Sequence, residues 1–230
     1  MGITRLVLSD FRNYAALDLE LDASMAALVG DNGAGKTNIL EAISLFSPGR
    51  GLRRADFADC VRHGAPRGFA VSIELEGALG EAQLGSGYDP AEGGRRCRID
   101  RLPAPSAAAF ADHCRVVWLT PDNDSLFRGP PGDRRRFLDR LVLAVDSGHG
   151  ARVSALDRAL RSRNRLLDED QSDSRWLDAV EREVAEMAVA VAAARRETVA
   201  RLASAIAEEE DGRSAFPSAA IALEGDIETA

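Results

Sequence analysis

The eight residues Gly30-Asp31-Asn32-Gly33-Ala34-Gly35-Lys36-Thr37 fit the pattern G-x-x-x-x-G-K-[ST]. The chemistry this spacing serves is the holding of a nucleotide's phosphates. Glycine at 30, 33 and 35 lets the backbone turn tightly, so that successive N–H groups point inward at an anion. Lys36 brings a positive charge to the β- and γ-phosphate oxygens, and Thr37 offers a hydroxyl to Mg²⁺. Asn38 follows directly. The ligands implied are ATP and Mg²⁺. Lys36 is also the only lysine among 230 residues; every other permanently cationic side chain is arginine.

Such a loop works between a strand and a helix. Before it, Met25-Ala26-Ala27-Leu28-Val29 is a short apolar run that predicts a buried strand. After it, Ile39, Leu40, Ile43 and Phe46 recur at helical spacing. The N-terminus of that helix adds its dipole and its unpaired N–H groups to anion binding.

Composition narrows the setting. No window of the chain is long and apolar enough to span a membrane, and the N-terminus reads as a strand rather than a signal peptide, so a cytoplasmic protein is expected. Cys60, Cys97 and Cys114 lack C-x-x-C spacing and read as free thiols, and His63, His113 and His149 are too scattered for a zinc site. A formal net charge of −8 is not that of a strongly basic nucleic-acid binder. Local patches still bind phosphate against the net sign. Arg50, Arg53 and Arg54, then Arg95, Arg96, Arg98 and Arg101, then Arg134, Arg135 and Arg136 form three such clusters.

Ile3–Ser9 and Leu17–Asp22 alternate as strands around the turn Asp10-Phe11-Arg12-Asn13-Tyr14. Phe69, Val71, Ile73 and Leu75 mark a further strand, which Gly77–Gly80 turns into a hairpin with 81–87, followed by a short strand at 95–100. Leu102-Pro103-Ala104-Pro105 reads as a stiff connector and Ser106 as the cap of a short helix. Arg115–Leu119 predicts a buried strand. Beyond residue 120 the pattern is helical: 133–145, a stripe from Val153 to Leu167, a polar break at 168–174, and a stripe from Leu177 to Ile206. The acidic segment Glu208-Glu209-Glu210-Asp211-Gly212 ends that helix, and after Phe216-Pro217 the run Ala219–Leu223 again predicts a strand.

Four stretches resemble the RecF family of ABC/SMC-type ATPases. They are Leu6–Tyr14 with its F-R-N-Y sequence, Leu28–Glu41 around the phosphate loop with Gly49–Arg53 after it, Leu119-Thr120-Pro121-Asp122 with the later Gly129 and Arg135-Arg136-Phe137-Leu138-Asp139, and Leu160–Asn164. The resemblance implies an α/β fold: a P-loop ATPase domain of mixed sheet with a flanking antiparallel meander (residues 1–120), an inserted α-helical lobe (121–214), and a return towards the sheet at 215–230. It implies that Arg12 and Asn13 approach the nucleotide, and that Asp122 lies near a metal and γ-phosphate sensor although no Gln stands there. Its further implications are an ATP-dependent homodimer, binding to gapped or double-stranded DNA, and work with RecO- and RecR-type mediators in loading recombinase during replication and repair.

The family's signature motif and Walker B acid are not found in the 230 residues. Little or no hydrolysis is therefore expected from this chain, which reads as the N-terminal part of a longer one. Competing readings are a small P-loop NTPase or kinase acting on a soluble substrate, and an SMC-like structural protein with a shortened coil.

Overall fold

The computed structural model describes residues 2–22, 25–77, 79–168, 174–208, 219–225 and 227. The chain divides into two compact units, Met1–Thr120 and Pro121–Ala230.

The first unit is built on a six-stranded sheet in which every pairing is antiparallel. Its order is β2-β1-β3-β4-β5-β6, with β1 Gly2–Phe11, β2 Tyr14–Glu20, β3 Phe69–Gly77, β4 Gly80–Tyr88, β5 Arg95–Ile99 and β6 Leu102–Ala104. Alternation decides which face is buried. Leu6 and Leu8 of β1 stand opposite Ile73 and Val71 of β3, and all four are almost wholly buried. Helix α1 (Lys36–Ser44) and the residues after it bring Ile39, Ala42, Leu45 and Phe46 into the same core, where Phe46 meets Phe110 at 5.4 Å between ring centroids. Ser106 caps the 3-10 helix Ala107–Asp112, its side chain accepting from the Ala108 N–H.

Some expected elements take another form. Residues 25–29, 115–119 and 219–223 are not strands. Met25 is 88% exposed, Val29 93% and Leu119 78%. An apolar run becomes a buried strand only where a neighbour offers ladder hydrogen bonds and another layer covers it. None of these runs pairs with a described strand, although Leu28 and Val116 pack against the core. The expected mixed sheet therefore consists, among the described residues, of antiparallel pairs alone. In contrast, the proline-containing connector 102–105 does pair, as β6. It is an edge strand, where the N–H that Pro103 lacks is not needed. The turn into it, Asp100-Arg101, has φ of 50° and 69°, the left-handed pair that a two-residue hairpin requires.

The second unit holds α2 (Pro131–Leu143), α3 (His149–Asp168) and the 35-residue α4 (Ser174–Glu208), which packs mainly on α3. Pro131 starts α2 at a position where its missing N–H costs nothing. Val142, Ala159, Val180, Val191 and Ala192 form the buried stripe. Inside it, Asp139 of α2 accepts hydrogen bonds from His149 Nε2 at 2.8 Å and from Arg195 Nε and Nη2 at 2.8 and 3.0 Å. Most of the expected break at 168–174, the acidic residues 209–212 and Phe216-Pro217 lie outside the described residues. Among the described residues no helix is long and apolar enough to cross a membrane.

Candidate nucleotide-binding site

Three glycines shape the loop, and all three have a positive φ that side chains rarely adopt, Gly30 at 156° among them. Gly33 and Gly35 have φ of 88° and 104°, in the left-handed region that disfavours a side chain. At Gly35 space adds a second reason: a Cβ there would stand 2.6 Å from Tyr14 Oη and 2.7 Å from Asn13 Nδ2. Gly35 also serves as the N-cap of α1, its carbonyl accepting from the N–H groups of Asn38 at 2.8 Å and Ile39 at 3.2 Å. The N–H groups of Lys36 and Thr37 find no acceptor among the described residues. They form the positive end of a helix with no side-chain cap and no acidic residue in its first turn, which suits an anion.

Lys36 lies back across the loop. Its ammonium donates to the carbonyls of Gly30 at 2.7 Å and Asp31 at 2.8 Å, which fixes the charge over the glycine backbone. Asp31, Asn32 and Ala34 are exposed, and Ala34 contributes its carbonyl, which accepts long hydrogen bonds of 3.4 Å from Asn13 Nδ2 and Tyr14 Oη. Thr37 is exposed and Asn38 half-buried. Asn38 Nδ2 donates to Asn13 Oδ1 at 2.7 Å, so the helix and the β1–β2 turn meet at the loop.

The cradle left by glycine, the unpaired N–H groups and the folded-back lysine fit a triphosphate. Gly30–Thr37 and Asn38 are the residues that would hold it. ATP, when bound, would supply the negative charge that these N–H groups and Lys36 would face. Among the described residues no cluster of three His, Cys, Asp or Glu side chains could hold a metal ion. Of the loop residues, the exposed Thr37 is the one whose side chain would offer a hydroxyl to Mg²⁺.

The Arg12 side chain hydrogen-bonds to Glu41 and Asp59 rather than to a loop residue. Its guanidinium forms a two-pronged pair with Glu41 of α1, Nε to Oε2 at 2.8 Å and Nη2 to Oε1 at 2.6 Å, and its Nη1 reaches the Asp59 carbonyl at 2.8 Å. Hydrogen bonding to Glu41 holds its pKa above the usual arginine value. Asp122 falls in the second unit, exposed in the 3-10 turn Pro121–Ser125, where its carbonyl accepts from Ser125 Oγ. Motif reading missed Glu41; Arg53 and Arg95, named from sequence only as members of arginine clusters, are its second partner and a part-buried cation. Arg95 is a desolvated cation whose pKa burial lowers. It lies 5.8 Å from the ring centroids of Phe57 and Phe110 and donates to the carbonyls of Ser47 and Gly49 after α1.

Loop, helix and sheet together give the first unit the fold of a P-loop domain. Residues 2–83 match the RecF/RecN/SMC N terminal domain. The chain is 52% identical over 228 residues to the DNA replication and repair protein RecF of Mesorhizobium japonicum, covering 98% of this chain and 60% of that protein. To RecF of Rhizobium meliloti it is 52% identical over 225 residues, with 97% and 60% covered. Its fold matches that of a recombination mediator protein, RecF-ATPrS of the RecFOR pathway, with a TM-score of 0.83 at 22% identity over 93% of this chain and 58% of that one. The RecF resemblance of the motif residues is thus borne out along nearly the whole sequence, and the chain spans about 60% of the length of the relatives it matches.

Proposed function

We propose that this chain is the nucleotide-binding part of a cytoplasmic, RecF-type protein of DNA replication and recombinational repair. ATP acts as its switch. With Mg²⁺ it joins two copies of the chain, and the dimer holds gapped or double-stranded DNA and works with RecO- and RecR-type mediators to load recombinase. The observation that carries the reading is the loop Gly30–Thr37. Its left-handed glycines, unpaired N–H groups and folded-back Lys36 suit a phosphate chain, in a sequence about half identical to RecF proteins.

For DNA, the arginine clusters separate by what already holds them. Arg50 pairs with Asp56, Arg53 with Glu41, Arg96 with Glu92 and Arg136 with Asp133. The exposed side chains of Arg54, Arg98 and Arg135 have no partner among the described residues, and they are the candidates for phosphate contacts. The test is binding of a gapped duplex with and without ATP and Mg²⁺, alongside molar mass in solution and the Lys36→Ala variant. ATP-dependent dimerisation and binding, with affinity falling as salt rises, is the expected result. A monomer that Lys36→Ala leaves unchanged in every assay would overturn the proposal.

A further inference from the structure

Glu41 is a carboxylate that the loop motif does not require, yet it is 1% exposed and held by two guanidiniums from different turns. Arg12 comes from the β1–β2 turn, and Arg53 from the segment after α1. One buried acid facing two cations does more than neutralise a charge, and both arginines lead on to the loop. Arg53 Nη1 donates to Glu41 Oε2 at 2.6 Å and to Asn38 Oδ1 at 2.7 Å. Asn38 in turn donates to Asn13, which contacts the Ala34 carbonyl. The other arm is shorter. Arg12, with φ of 54°, is itself part of the turn that carries Asn13 and Tyr14. Those two side chains occupy the space that a Cβ at Gly35 would take.

We infer that Glu41 is a positioning residue for nucleotide binding: the buried acid fixes Arg12 and Arg53 and through them seats Asn13 and Asn38 against the phosphate loop. The inference rests on the nucleotide-binding reading above. A glutamine at 41 keeps the shape but not the charge, and it cannot accept from both arginines as a carboxylate does.

The experiment uses the whole chain and two readouts: the affinity of a fluorescent ATP analogue, with the folded fraction checked at the same temperature, and the side-chain amide NMR signals of Asn13 and Asn38 without nucleotide. The variants are Glu41→Gln, Asn13→Ala and their double. The control is Arg62→Gln, which breaks the part-buried Arg62–Asp10 pair (2.8 Å) outside this relay.

Coupled residues lose affinity non-additively. Glu41→Gln is expected to weaken the analogue by about 10-fold, Arg62→Gln by less than about 2-fold, and the double variant by little more than its larger single. Glu41→Gln should also shift both amide signals. Additive losses, an unchanged affinity, or an equal loss in Arg62→Gln would overturn the inference. If Glu41→Gln does not fold, Arg53→Gln carries the same test, since the Arg53 side chain is 40% exposed and its loss leaves the Arg12 arm intact. Should the wild-type chain bind no nucleotide, the nucleotide reading fails by itself. Amide signals that stay in place would then still refute the positioning role, and signals that move would support it.

Discussion

Glu41 in the first unit and Asp139 in the second are each held by two nitrogen-bearing side chains from other elements. The chemistry is nearly the same and the outcome differs. Around Glu41 the partners rise from turns, and the relay ends at the glycine loop Gly30–Thr37. Around Asp139 they rise from α3 and α4, already held by helical hydrogen bonds, and the relay ends among packed side chains. A buried acid between turns sets where the turns stand, whereas a half-buried acid between helices sets how the helices pack. What lies one bond beyond the ion pair decides whether it serves a site or a fold.

The contrast can be broken most sharply at Lys36. Lys36→Ala should cost about 100-fold or more in nucleotide affinity, because it removes the loop's only charge-assisted donor, while thermal unfolding of the chain stays nearly unchanged. Parallel losses in both assays would mean that the loop is structural.

Asp139→Ala should act in the opposite sense. It removes the carboxylate that accepts from both His149 and Arg195 and should destabilise the second unit by about 3–5 kcal/mol in urea unfolding. Nucleotide affinity measured on still-folded chain should not move. A loss of affinity there would erase the distinction between the two acids.

Gly35→Ala sits between these cases. The left-handed φ of 104° should cost about 1–2 kcal/mol. The added Cβ must also push Tyr14 and Asn13 aside, so affinity should fall further than stability does.

Acid sharpens the comparison. Burial alone would raise the Asp139 pKa, but hydrogen bonds from His149 and Arg195 outweigh it and hold the carboxyl below its usual range. A depressed folded-state pKa adds stability that is present above the unfolded value of about 3.9 and lost as pH falls through the folded one. Unfolding followed from pH 6 downward should show this loss, and Asp139→Asn should flatten it.

The smallest effect concerns the thiols. Burial pushes Cys60 and Cys114 up to about 11 and also raises Cys97, so all three stay protonated at pH 8. Maleimide should label the folded chain slowly, with half-buried Cys114 reacting first.

Sequence spacing carried much of this. The alternation Phe69-Val71-Ile73-Leu75 became β3 with each of those side chains at most 4% exposed, and the glycine pattern became the loop, because both depend on near neighbours in the chain. Glu41 escaped notice because its partners lie 29 and 12 residues away, a tertiary fact. One sign of it stood in the sequence: an acid set between Ile39 and Ala42, on the face of α1 that is buried. The runs 25–29 and 115–119 misled for the opposite reason, since apolar content signals burial but cannot supply a pairing partner.

The ε-amine of Lys36 has a use beyond binding. With no second lysine in 230 residues, it is the chain's single side-chain primary amine. Its tether to the carbonyls of Gly30 and Asp31 ties its reactivity to the state of the loop. An acylating reagent therefore reads this loop and the α-amino terminus and no other amine. Mass spectrometry of one tryptic region would then report loop occupancy directly, without a fluorophore or an engineered label.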